Sequence, residues 1–168
     1  MNTPHHPYKP AQLNPVERAV IAQKWRSYAL DGQLQAMMGE HTPTVISYCG
    51  RMVFVALACA VATGLSADEP DVRVLRGAAN ALYDQVDCPT VQAERRGALI
   101  AGVQAALRVT KAAGTTVVVD QALRMELLLR QRHISRADFA ALAQAMGAPA
   151  QAYATPATTP NTTTGATA

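Results

Sequence analysis

One stretch of the chain, Val45 to Leu65, reads VISYCGRMVFVALACAVATGL and contains a single charged residue, Arg51. A membrane span needs about 20 apolar residues, whereas the uninterrupted part, Met52 to Leu65, has 14, and an Arg within a span costs about 2.5–3.5 kcal/mol on insertion scales. A signal sequence is disfavoured because 51 residues precede its apolar part and Leu65 lies where a small residue is required. The run therefore predicts a helix buried at the centre of a helical domain, with no membrane partner.

The single charge in this run requires an explanation of its own. An almost fully apolar helix cannot hold an unpaired guanidinium group. We therefore expect Arg51 to reach solvent along its aliphatic stem or to pair with a carboxylate, and Tyr48, one turn earlier, to share that polar path. Arg51 and Tyr48 are also the interior candidates for an active site, should the domain have one.

The two ends of the chain differ from its middle in composition. From Ala148 to Ala168 there is no charge and no Leu, Ile or Val, and residues 1–13 contain three prolines and one charge. Such segments bury too little apolar surface to offset the entropy of ordering them. We predict a flexible arm over 1–13, a helical domain over 14–147 and a disordered Ala/Thr/Pro tail over 148–168.

Capping signals and apolar spacing predict the first helices of the domain. Asn14-Pro15-Val16-Glu17 is typical of a helix start, and we expect that helix to reach about Leu30, where Asp31-Gly32 interrupts it before a short turn through Met38. The second helix is the apolar run, after Thr42-Pro43-Thr44. We expect Asp71 to cap the third, whose apolar seam comprises Val72, Leu75, Ala79, Leu82 and Val86.

Three further helices complete the predicted domain. The break at 88–90 is expected to start a fourth helix that ends near Ala113 and allows close approach of a neighbour through small residues. Residues 115–119 are all β-branched, which is compatible with a short strand. The Asp/Arg and Glu/Arg pairs that follow are spaced four residues apart, and this spacing favours a helix through Arg132. A capping box at Ser135 starts the last helix, which ends at Gly147. The predicted class is all-α, a single compact domain of about six helices in a bundle or orthogonal array. The small residues of the fourth helix are Gly97, Ala98, Ala101, Gly102 and Ala105.

The last two predicted helices, within residues 117–146, are joined by a turn short enough for a DNA-binding helix-turn-helix. In this alternative, a transcriptional regulator, Arg130 and Arg132 contact phosphates, and Arg136 and Gln144 contact bases. Against it, residues 14–147 hold 14 Lys and Arg and 12 Asp and Glu, without the basic excess expected of such domains. Its test is whether these arginines are free or are paired with Asp120, Glu126 and Asp138.

The motifs that carry most enzyme chemistry are missing from this sequence. It contains no GxSxG, no GxxxxGK[ST] and no GxGxxG. Three cysteines without CxxC spacing indicate neither a disulfide framework nor a metal site, and they favour a reduced, cytoplasmic protein. A solvated loop explains the carboxylates Asp84, Asp87 and Glu94. We expect no catalytic residue, metal or cofactor.

The leading hypothesis is a non-enzymatic protein with a regulatory or accessory role, which binds a protein partner or a second copy of itself. Its basis is a group of large apolar side chains on or after the first helix: Trp25, Tyr28, Met37 and Met38. The alternative that these residues only cover the core stays open. The frequent Ala, and Arg in place of Lys, are typical of a GC-rich bacterial genome.

Overall fold

The computed structural model describes residues 13–39 and 41–129, together with residues 144 and 146. This part of the chain is all-helical, as predicted, and contains five helices. The sixth predicted helix, like the N-terminal arm before Leu13 and the C-terminal tail, lies outside the described residues, apart from positions 144 and 146. The helices are α1 (Pro15–Met38), α2 (Thr42–Ala62), α3 (Pro70–Gln85), α4 (Ala93–Ala113) and α5 (Thr115–Leu129).

Helix α1 begins with the predicted capping box but is longer than predicted. The Asn14 side chain accepts a hydrogen bond from the Glu17 backbone N–H (2.9 Å), and the Glu17 carboxylate accepts one from the Asn14 N–H (2.8 Å). The predicted interruption at Asp31-Gly32 is wrong, because α1 continues to Met38 and ends at Gly39, which has a positive φ of 69°. Gly32 is buried, and its carbonyl accepts a hydrogen bond from the Cys49 thiol at 3.2 Å. The packing of Gly32 against α2 offsets the cost of a glycine within a helix, about 1 kcal/mol.

Helix α2 is the predicted central helix, and residues 52–60 are all buried. By length and composition it could cross a membrane, but 67% of its most apolar stretch is buried, which is consistent with a soluble protein. Its second turn, Ile46–Gly50, is π-helical, and it continues as an α-helix over Arg51–Ala62. A π-helical turn has a wider hydrogen-bonded loop than an α-helical turn. The sequence pattern did not predict it.

The carboxylate partner predicted for Arg51 is Glu126 of α5. Arg51 Nε donates to Glu126 Oε1 at 2.8 Å, and Arg51 Nη1 donates to the hydroxyl of Ser47. The Tyr48 ring, for which a path shared with Arg51 was predicted, packs against Tyr28 with centroids 5.7 Å apart. The ion pair therefore links the middle of α2 to α5.

Helices α3 and α4 both start at positions that differ from the prediction. Asp71 does not cap α3, which starts at Pro70, and the Asp71 carboxylate accepts hydrogen bonds from Arg108 of α4 at 2.7–3.1 Å. Helix α4 starts at Ala93, beyond the proline break, with Glu94 in its first turn as expected. The predicted seam of α3 is buried as far as Leu82, whereas Val86 is half-buried.

The predicted close approach along α4 occurs at Gly102. A Cβ added there would overlap the Cβ of Ala78 on α3 and would lie 3.3 Å from Val53 on α2. Gly97, on the same predicted small face, has open space at its Cβ position. The two neighbouring helices thus approach α4 most closely at Gly102.

Residues 115–119 are helical, which confirms the preference for helix over strand. Gly114, with φ 83°, separates α4 from α5 and allows a sharp change of direction. Helix α5 then packs mainly against α2.

Candidate interaction surface on helix α1

The structure separates the four residues predicted to bind a partner. Trp25 is half-buried, and its indole Nε1–H donates to the Thr110 hydroxyl at 2.9 Å. That hydroxyl in turn donates to the Ala106 carbonyl at 2.6 Å. Trp25 therefore anchors α1 to α4 and is not a free surface residue. Tyr28 is exposed but lies against Tyr48.

Met37 and Met38, in contrast, are exposed and belong to a larger apolar surface that the sequence reasoning missed. At 100° per residue its members lie within an arc of about 100° on the helical wheel and span about 33 Å of helix. Each is between 46% and 71% exposed. We call this surface the outward face of α1; it consists of Val16, Val20, Leu30, Leu34, Met37 and Met38.

The side of α1 that faces the core has smaller residues. Ala29, Gly32 and Ala36 are its buried residues, and Trp25 is its large anchor. Helix α1 thus buries small side chains and exposes large ones, the reverse of the usual distribution in a soluble helix. Exposed large apolar side chains that share one face of a helix are typical of an interaction site.

The charges near the outward face lie on its edge. Within the arc itself the remaining residues are Ala19, Gln23 and Ser27, none of them charged. Lys24 and Asp31 lie along one flank, both exposed, and they are separated by about 10 Å along the helix. This distance is too long for them to pair with each other within one α1.

A buried polar cluster near the C-terminal end of α1 also escaped the sequence analysis. The Gln85 amide donates to the Thr42 hydroxyl (2.9 Å) and the Thr90 carbonyl (2.6 Å), and its Oε1 accepts from the Gln92 N–H (3.0 Å). Gln85 is fully buried, and these bonds hold the 86–92 connection against the start of α2. The sequence offered one signal for this cluster, which is the position of Gln85 next to the apolar seam of α3. The contacts assign it a structural role.

Three of the four candidate DNA contacts, Arg130, Arg132 and Arg136, lie outside the described residues. Gln144 is described, as an exposed helical residue. Of the proposed acidic partners, Glu126 binds Arg51, and Asp120 Oδ1 is buried without a hydrogen bond.

The described residues contain no group of three or more His, Cys, Asp or Glu side chains placed to hold a metal ion. Asp84, Asp87 and Glu94 are all solvent-exposed. The cysteines are free, and burial raises the pKa of both Cys49 and Cys59 from 9.0 to about 12. A thiol with so high a pKa is a poor nucleophile at neutral pH.

No protein-family model, no curated protein and no solved structure matches the chain.

Proposed function

We propose that this protein is a non-enzymatic, self-associating helical module, and that the outward face of α1 pairs with the same face of a second copy. The observation that carries the proposal is the distribution of side chains on α1, with large apolar residues in solvent and small ones in the core. Burial of apolar surface is the main driving force of association. Homodimer interfaces are also more apolar than interfaces between proteins that exist separately.

The flanking charges favour an antiparallel pair over a parallel one. In an antiparallel pair centred between Ser27 and Tyr28, Lys24 of one copy lies opposite Asp31 of the other, and the reverse holds by two-fold symmetry. Val16 and Val20 then lie near Met37 and Met38 of the second copy. In a parallel two-fold pair this flank faces the other flank of the second copy, so Lys24 lies near the cationic Arg26 instead of Asp31, which is unfavourable.

The size of the outward face sets the expected strength of association. A strip about 33 Å long on a helix about 10 Å wide offers about 300 Å² per copy in projection. Standard interfaces bury about 800 Å² per partner. We therefore expect a reversible dimer with a dissociation constant in the micromolar range.

Sedimentation velocity over a range of protein concentrations tests the proposal. The wild-type protein is expected to shift from monomer to dimer, and Leu34→Glu is expected to remain a monomer. Val61→Glu is the matched control, because Val61 is also an exposed apolar residue (62%, against 46% for Leu34) but lies beside Val72 and Arg76, away from α1. A wild-type protein that stays monomeric up to about 1 mM, or a Leu34→Glu variant that dimerises normally, would overturn the proposal.

A charge swap tests the antiparallel geometry. Lys24→Glu and Asp31→Lys are each expected to weaken the dimer, because each places like charges opposite one another across the two-fold axis. The double variant restores both pairs and should dimerise like the wild type. A double variant weaker than either single change would contradict the antiparallel arrangement.

We also propose a cytoplasmic location and a regulatory or accessory role. The support for the location is three free thiols, two of them buried in α2 and positioned for packing, which suit a reducing compartment. A weak, reversible dimer changes with protein concentration, and this property suits regulation.

A further inference from the structure

A cavity of about 480 Å³ lies on the other flank of α1, where it meets α4 and the start of α5. Its volume is within the range of small-molecule sites, about 300–1,000 Å³. Trp25 forms part of its wall, and the apolar residues around it include Ile21, Leu107 and Val118. Among the described residues, those that line it are Ile21, Ala22, Trp25, Arg26, Leu107, Thr110, Lys111, Gly114, Thr115 and Val118.

The charged residues of this lining are all cationic. Arg26 and Lys111 are exposed and lie on two different helices, and none of the ten lining residues that the structure describes is acidic. Gly114 and Thr115 add the N-terminal end of α5, where backbone amides lack intrahelical acceptors. Two polar side chains of the wall, those of Trp25 and Thr110, already bond to each other. The cavity thus combines an apolar interior with a positive rim.

We infer that this cavity binds an amphiphilic monoanion, a molecule with an apolar body and one carboxylate. The apolar body lies against Trp25, Leu107 and Val118, and the carboxylate lies at the rim with Arg26 and Lys111. Charge complementarity selects this class over neutral or cationic amphiphiles of the same size. The site is separate from the outward face of α1.

Titration of the full-length protein with decanoate, followed by fluorescence, tests the inference directly. Trp25 is the sole tryptophan of the chain, so the signal reports on this cavity. We expect a saturable change with decanoate, and none with acetate or with decyltrimethylammonium. No saturable change with decanoate, or an equal response to the cationic amphiphile, would overturn the inference.

Two cavity variants and two controls locate the binding site. Arg26→Gln with Lys111→Gln is expected to raise the dissociation constant about fivefold, as two exposed charge contacts are lost. Ala22→Phe fills the cavity and should abolish binding. Lys24→Gln, a cation on α1 outside the lining, and Leu34→Glu, on the outward face, should bind decanoate as the wild type does. Loss of binding in Leu34→Glu, or unchanged binding in the double glutamine variant, would contradict the site.

Discussion

Helices α1 and α2 are both rich in apolar residues, yet the fold uses them in opposite ways. Helix α2 buries large side chains, among them Met52, Phe54 and Leu57, in the core. Helix α1 buries alanine and glycine against the same core and exposes Leu34 and Met37. An apolar helix therefore has to be classified by which of its residues are buried. By this criterion α2 is the core helix of the fold, and α1 has an exposed apolar face that is available to another molecule.

Truncation of a large side chain in each helix gives the largest expected contrast. Phe54→Ala in α2 should lower the free energy of unfolding by about 3–5 kcal/mol, since it leaves a cavity in the core. Leu34→Ala in α1 should change it by less than about 0.5 kcal/mol, since Leu34 is already exposed in the monomer. Urea unfolding followed by circular dichroism at low protein concentration measures both. If Leu34→Ala lowers the free energy of unfolding by more than about 2 kcal/mol, which is the loss expected for a buried residue, α1 packs on both faces.

Replacing each of two glycines of α4 by alanine tests how closely the neighbouring helices pack against α4. Gly102→Ala should lower the free energy of unfolding by about 1–3 kcal/mol, because the added methyl group pushes α4 away from Ala78 and Val53. In Gly97→Ala the added methyl group meets open space. The free energy of unfolding should therefore rise by about 0.5–1 kcal/mol, because alanine has the higher helix propensity. If Gly102→Ala raises the urea midpoint or leaves it unchanged, the tight contact at Gly102 is refuted.

The two buried thiols of α2 give an expected effect on stability that depends on pH. Burial raises the pKa of Cys49 and Cys59 from 9.0 to about 12. Between these values the folded state keeps protons that the unfolded state has lost. Stability should therefore fall as the pH rises above about 9, by up to about 1.4 kcal/mol per pH unit for each thiol.

Urea unfolding of the wild type and of Cys49→Ala/Cys59→Ala between pH 8 and pH 11 measures that slope. The double variant should show a shallower loss of stability, although its stability at pH 8 is lower because two core side chains are smaller. Cys88→Ala controls for removal of a half-buried thiol outside α2. Equal slopes in the wild type and the double variant would show that the thiols of α2 are not protected by burial.

The features that sequence predicted correctly are those set by local chemistry. The capping box at Asn14, the apolar run of α2 and the helical state of 115–119 each follow from neighbouring residues. The sequence predicted that Arg51 has a partner, because a guanidinium group inside an apolar helix needs one. Its identity as Glu126, 75 residues away, depends on tertiary packing.

The features that sequence missed depend on contacts between helices. Asp31-Gly32 has the composition of a turn, and only the approach of Cys49 and Val103 explains why α1 continues through it. That error divided the outward face in two, so that Leu30 and Leu34 were not joined to Met37. Trp25 was assigned to a partner because its hydrogen bond to Thr110, on a helix far along the chain, has no local signal.

The π-helical turn Ile46–Gly50 has a consequence for the evolution of the chain. A turn of this kind accommodates one residue more than an α-helical turn while the helix on either side keeps its orientation. It is the form that a single-residue insertion takes when a helix absorbs it. A homologous chain with one residue fewer between Val45 and Arg51 is expected to have a regular helix there and the same core contacts before and after it. An alignment of such chains should therefore place a one-residue gap in this turn.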